Sequence, residues 1–181
     1  MNKDNRTVKL TGTAILAALV IIFDYSLKYS GLKIPFPWYS NLKFDFTGIP
    51  IVMSLFLYGF SSSVFTSLVA GVGIVARSGN VVSALMKVFA ELSTVIGLQI
   101  GLVILEGKTT SKYFFWIIGI VSRVLIMSVV NFYVLPNVYG VPIQATLGLL
   151  PLIGVFNVIQ GLITIAFGDF LHKATRKRLP Q

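Results

Sequence analysis

The stretch "VKLTGTAILAALVIIFDYSL", Val8–Leu27, carries one lysine near its start and one aspartate near its end and is otherwise uncharged. A helix of about 20 residues rises roughly 30 Å, the thickness of a bilayer's hydrocarbon core. Comparable runs recur at Ile49–Gly59, Ser62–Ala76, Val81–Leu105, Tyr113–Leu135 and Leu147–Leu171. They predict one domain over residues 1–181, an all-α membrane protein built as a bundle of six transmembrane helices. The second and third runs are short, so they are either tilted, partly interfacial, or two arms of one broken unit.

Composition agrees with that class. The 181 residues are 55% hydrophobic and 12% charged, with a mean hydropathy of +0.85. A soluble domain carries about 25% charged residues. The apolar runs recur along the whole length, which a cleaved leader alone does not explain. There is no cysteine and a single histidine, so disulfides and thiolate sites are excluded and a metal centre is not expected.

The net charge of +9 is distributed as a membrane protein distributes it. With six spans, Lys3, Arg6, Lys9, Lys108, Lys112, Lys173, Arg176, Lys177 and Arg178 share one face. Lys28, Lys33, Lys43 and Arg77 fall on the other. The positive-inside rule then places both termini in the cytoplasm of a multi-pass protein of the cell membrane. Such basic clusters speak of orientation and anionic headgroups rather than nucleic acid.

Enzymatic motifs are missing. "EGKTTSK" contains Gly-Lys-Thr, but Leu102 stands where a phosphate-binding loop needs its first glycine, and the preceding segment is a membrane helix. No nucleophile–base pair or carboxylate pair is visible, so an enzyme is not expected. His172 sits among basic residues as an anchor at the membrane face.

Ionisable residues within spans are costly, and they pair or mark function. Asp24 and Lys28 are spaced to pair on one helix face, as are Lys87 and Glu91. Glu91 and Arg123 lie at similar depth in antiparallel spans, suited either to an interhelical bridge or to ligand contact. Asn131, Asn157 and Gln160 fall in the outer half of the bundle. Their amides suit either the edges of a neutral heterocycle or interhelical hydrogen bonds. Ala14 and Ala18, like Gly97 and Gly101, form small-xxx-small pairs that serve internal packing or the docking of a separate membrane subunit.

Small six-span proteins with basic tails and an Ala-xxx-Ala pair in the first helix are what this chain resembles: the substrate-binding (S) components of energy-coupling factor (ECF) vitamin transporters. Three stretches are similar to the riboflavin-binding branch. "NLKFDFTGIPIV" (Asn41–Val52) resembles a loop reading Leu-Lys-Tyr/Phe-Asp-x-Ser-Asp-Ile-Pro, "VVNFYVLPNVYG" the end of the fifth helix, and "GVFNVIQGLI" a sixth-helix Phe-Asn-x-x-Lys-Gly.

The resemblance implies a carrier that takes riboflavin, or another small vitamin or precursor, from outside as its transported ligand, with no cofactor. Pantothenate, a thiamine precursor and a modified purine are the alternatives, as is a non-transporting scaffold. Its partners would be a membrane coupling (T) subunit, docked at Ala14 and Ala18, and two cytoplasmic ATPases. Ligand residues would be Asn131, Asn157 and Gln160, with Leu42, Lys43, Phe44 and Asp45 from the loop and Glu91 below. Two positions depart from the pattern: Gly48 stands for Asp, and Gln160 for Lys.

The loop itself then reads as a lid. Pro35, Pro37 and Pro50 stiffen it. Phe36, Trp38, Tyr39, Phe44 and Phe46 either cover a flat ligand or sit at the membrane interface. If the stretch is extended, Lys43 and Asp45 share a face and are placed to pair.

Overall fold

The computed structural model describes residues 3–104 and 113–177. Lys108, Lys112, the Gly-Lys-Thr stretch and Arg178 lie outside the described residues, as does the side chain of Lys3. In chain order the elements are α1 (Lys3–Tyr29), β1 (Ile34–Phe36), β2 (Tyr39–Phe44), α2 (Gly48–Tyr58), α3 (Phe60–Ser78), α4 (Val81–Ile104), α5 (Phe114–Asn137) and α6 (Ile143–Arg176).

Five helices, α1 and α3 to α6, are long and apolar enough to cross a membrane. The expected second span is not. With 11 residues, α2 rises about 16 Å, half of a hydrocarbon core. It stops at Gly59, whose φ of 88° belongs to the region glycine enters without steric cost, and α3 turns back alongside it. Thr66 of α3 donates to Ser54 of α2 at 3.2 Å, tying the two arms.

Contacts sort the bundle into two ends. At the terminal end, Tyr58 sits against Gly12, Lys9 donates to Ser61, and the Phe56 ring lies 5.4 Å from His172 and 5.9 Å from Phe115. The starts of α1, α3 and α5 and the finishes of α2, α4 and α6 therefore lie together. At the opposite end Asp24 receives Lys33 at 2.6 Å and Arg77 at 2.8 Å. That corrects the expected Asp24–Lys28 pair. A buried carboxylate has two oxygens to satisfy, and cations from the hairpin approach and from α3 reach both, while Lys28 is exposed.

The surface is the inverse of a soluble protein's. Ile15, Ile22, Phe65, Val72, Leu125 and Phe167 are exposed, whereas Thr94, Glu91, Arg123, Asn157 and Gln160 are buried. The apolar core is a cluster around Val20, Ile51, Val52, Leu98 and Ile165, with a smaller one of Leu16, Ile49 and Met53. The two small-residue pairs also part ways. A Cβ on Gly97 would lie 2.7 Å from the Ile118 carbonyl oxygen, and one on Gly101 2.7 Å from the Phe115 Cα, so this pair seats α5 on α4. Ala14 and Ala18 face outward.

The segment expected as an all-helical protein's loop contains a two-stranded antiparallel hairpin. Ile34 pairs with Phe44, Pro35 with Lys43 and Phe36 with Tyr39, with an irregularity after Pro35. Proline is tolerated there because the ribbon has free edges. Phe36, 1% exposed, anchors the hairpin against Phe44, Trp38 and Phe156 of α6.

Candidate ligand-binding cavity

Directly after β2 the chain is held at a single residue, Asp45. Its Oδ1 accepts from the Thr47 amide and hydroxyl, at 3.2 and 2.8 Å, in a local turn. The same oxygen takes the Lys87 ammonium of α4 at 2.7 Å. Its backbone is clasped by Gln160 of α6, whose Nε2 donates to the Asp45 carbonyl at 2.7 Å while Oε1 accepts the Asp45 amide at 3.3 Å. Asp45 is thus paired across the bundle with Lys87, not with Lys43. Burial opposes ionisation of Asp45, but the Lys87 ammonium, helped by Lys33, outweighs it and holds the carboxyl at about 2, below its ordinary 3.8.

Beneath this latch lies a second carboxylate. Glu91 is fully buried between Lys87 at 2.9 Å and Arg123 of α5 at 3.3 Å. Both the expected helix-face pair and the interhelical bridge are present. Arg123 also donates to the Ala90 carbonyl, the Thr94 hydroxyl and the Asn157 Oδ1 through Nη1 and Nε. Its Nη2 makes no hydrogen bond among the described residues. Two carboxylates and two cations leave this quartet electrically neutral.

Glu91 also accounts for one departure from the loop pattern. A Cβ on Gly48 would lie 2.6 Å from Glu91 Oε2 and 2.6 Å from Thr164 Cγ2. An aspartate there would collide with both and set two carboxylates side by side. The Glu91 oxygen lies instead against the first residue of α2, where the positive end of a helix favours an anion.

Hairpin, α4, α5 and α6 together enclose a cavity of about 610 Å³. Tyr39, Leu42, Lys43 and Asp45 line it from the hairpin, and Lys87, Arg123, Asn131, Phe156, Asn157 and Gln160 from the helices. Asn131 and Asn157 each donate to a carbonyl of their own helix, at Met127 and Ile153. Asn131 keeps an oxygen that accepts no hydrogen bond among the described residues.

The expected site residues are therefore not equivalent. Asn131, Asn157, Leu42, Lys43 and Asp45 border the cavity. Gln160 borders it too, but its amide is engaged by the hairpin and by Thr164. Phe44 turns from the cavity to pack on Phe156, ring centres 4.9 Å apart, and Glu91 is sealed beneath it. Among the loop aromatics Tyr39 lines the space, while Trp38 and Phe46 are exposed. The wall also includes Lys87, Met127 and Phe156, which were not anticipated as ligand contacts, and Arg123, for which bridge and ligand contact were both open. The two cations carried a signal, since charge inside a span points to a cavity or a partner. The two apolar residues carried none.

No protein-family model matches the chain, and no curated protein sequence is similar to it. Among solved structures, its fold is similar to that of the S component of a bacterial ECF transporter, at a TM-score of 0.76 over 97% of this chain and 99% of that one. The two are 22% identical. The architecture is shared from α1 to α6.

Proposed function

We propose that the protein is the substrate-binding component of an ECF-type importer and that its ligand is riboflavin or a related flavin. The observation that carries the reading is the cavity closed by the hairpin, on an S-component fold. Its volume of about 610 Å³ falls within the roughly 300–1,000 Å³ of small-molecule sites. Its wall combines aromatic and apolar side chains with the Asn131 oxygen as acceptor and the Arg123 Nη2 as donor. Those are the groups that read the edge of a neutral heterocycle, and the charges of Asp45, Glu91, Lys87 and Arg123 answer one another.

On this reading the hairpin end faces outward, both termini are cytoplasmic, and α2 with the segment leading into it makes the second of six passages. The exposed Ala14 and Ala18 form the docking pair for a membrane coupling subunit, and two ATPases supply the energy. The protein releases its ligand unchanged and is not an enzyme.

Titration of the purified protein with riboflavin, followed by quenching of flavin fluorescence, tests the ligand. One flavin per chain at submicromolar affinity, weakened at least tenfold by Asn131→Ala, is expected. Binding of pantothenate, a thiamine precursor or a purine in place of riboflavin would reassign the substrate. Absence of any binding, with no coupling subunit co-purifying, would favour a scaffold.

A further inference from the structure

The terminal end carries a second cavity, of about 540 Å³, unrelated to the ligand site. Its floor is Phe56 of α2, Leu102 of α4 and Phe115 of α5, and its wall is the last two turns of α6, with His172, Lys173, Arg176 and Lys177. The groove exists because of a mismatch in length. At 34 residues, α6 rises about 51 Å, well beyond a hydrocarbon core of about 30 Å. Meanwhile α2 ends at Tyr58, two residues beyond the Phe56 that meets His172, so the close of α6 projects past α2.

The charges on this wall do not cancel. Asp169 is the acidic residue of the groove, and Lys173 one turn on is paired with it. Arg176 and Lys177 are exposed and have no acidic partner among the described residues. The carboxyl end of α6 offsets only about half a unit of their charge. Two cations above an aromatic and aliphatic floor, on a chain with five helices able to cross a bilayer, match the two halves of a lipid, an anionic headgroup and an acyl chain.

The geometry points to a binding site for one anionic phospholipid: the headgroup phosphate on Arg176 and Lys177, the upper acyl chain on Phe56 and Phe115. An acidic protein segment would meet the same charges, but the apolar floor is better matched by a lipid tail. The assignment requires only that the protein lies in a membrane and is independent of what fills the outer cavity.

Native mass spectrometry of the full chain, exchanged into mixed phosphatidylglycerol and phosphatidylcholine, reads the site directly. One phosphatidylglycerol retained in preference to phosphatidylcholine is expected. The double variant Arg176→Gln/Lys177→Gln should weaken retention by about tenfold or more, since each basic residue near a membrane contributes a severalfold factor. Lys28→Gln, at the opposite end, should leave retention unchanged. Equal retention by the double variant, or an equal loss with Lys28→Gln, would overturn the site. So would inorganic phosphate displacing the lipid at millimolar concentration, which would mark a site for the free anion. Retention of an acidic protein from the membrane in place of lipid would also overturn it. Thermal unfolding of the same variants in detergent serves as the folding control.

Discussion

Gln160 and Asp45, 115 residues apart in sequence, are joined by two hydrogen bonds between one side-chain amide and the backbone N–H and C=O of one residue. A planar carboxamide can satisfy a backbone N–H and C=O together, as a neighbouring strand would. The glutamine therefore acts as a one-residue strand edge that holds the hairpin over the cavity. A lysine at this position could donate to the carbonyl but could not accept from the amide.

Gln160→Ala should free the hairpin at one of its attachments. With about 0.5–1.5 kcal/mol for each hydrogen bond lost, ligand release should accelerate roughly tenfold, with a smaller change in association. Stopped-flow displacement of bound flavin measures both. An unchanged release rate would show that the hairpin is held chiefly through Lys87 and the Phe156 packing.

The Glu91–Arg123 bridge makes a different prediction, since it is buried at both ends. Glu91→Leu or Arg123→Leu alone should destabilise the folded protein by about 3–5 kcal/mol, because each strands a charge. The double variant should lose much less than the sum, leaving Asp45 and Lys87 as a neutral pair. Unfolding in denaturant, with detergent held constant, gives the cycle. Additive losses would mean that the pair is not coupled.

At Gly48 the relevant quantity is space. Gly48→Asp should lower the melting temperature sharply, and the combination with Glu91→Ala should recover part of the loss by removing both the obstruction and the like charge. Gly48→Ala should cost about 1–3 kcal/mol through overpacking alone.

The low pKa of Asp45 gives the pH dependence. A carboxyl depressed from 3.8 to about 2 binds fewer protons folded than unfolded. Its contribution is complete above the unfolded value and is lost as pH falls through the folded one. Ligand release should therefore be flat from neutral pH to about 4.5 and accelerate only in stronger acid. A midpoint near 5 would assign the control to a different group.

Gly97→Leu and Ala14→Leu should separate folding from coupling. Gly97 has backbone within 3 Å of where a Cβ would stand, so its variant should fail to fold. Ala14 is exposed, so on the proposed function its variant should bind flavin normally and fail to co-purify with a coupling subunit.

The parts of this fold that were legible in sequence are those fixed by local properties. The hydropathy of 8–27, 81–105, 113–135 and 147–171 found four long helices, because burying a backbone in lipid requires a continuous apolar helix. The stretch 49–59 corresponds to the 11-residue α2, which is apolar because helices surround it and by itself is too short for a hydrocarbon core. Spacing along one helix found Lys87–Glu91, and equal depth found Glu91–Arg123. It failed for Asp24 and Asp45, whose partners come from segments 53 and 42 residues away and are chosen by the fold. The hairpin was concealed by its prolines, which argue against strands in a sheet interior but not in a two-stranded ribbon.

The shortness of α2 has a mechanical meaning. Only residues 46 and 47 separate the latched Asp45 from the start of this helix, and its other end, Tyr58, bears on Gly12, half a turn before Ala14. A displacement of Asp45 must therefore be absorbed by two residues or be carried along a stiff rod to the outward-facing stripe of α1. The cavity and that stripe are at opposite ends of one lever.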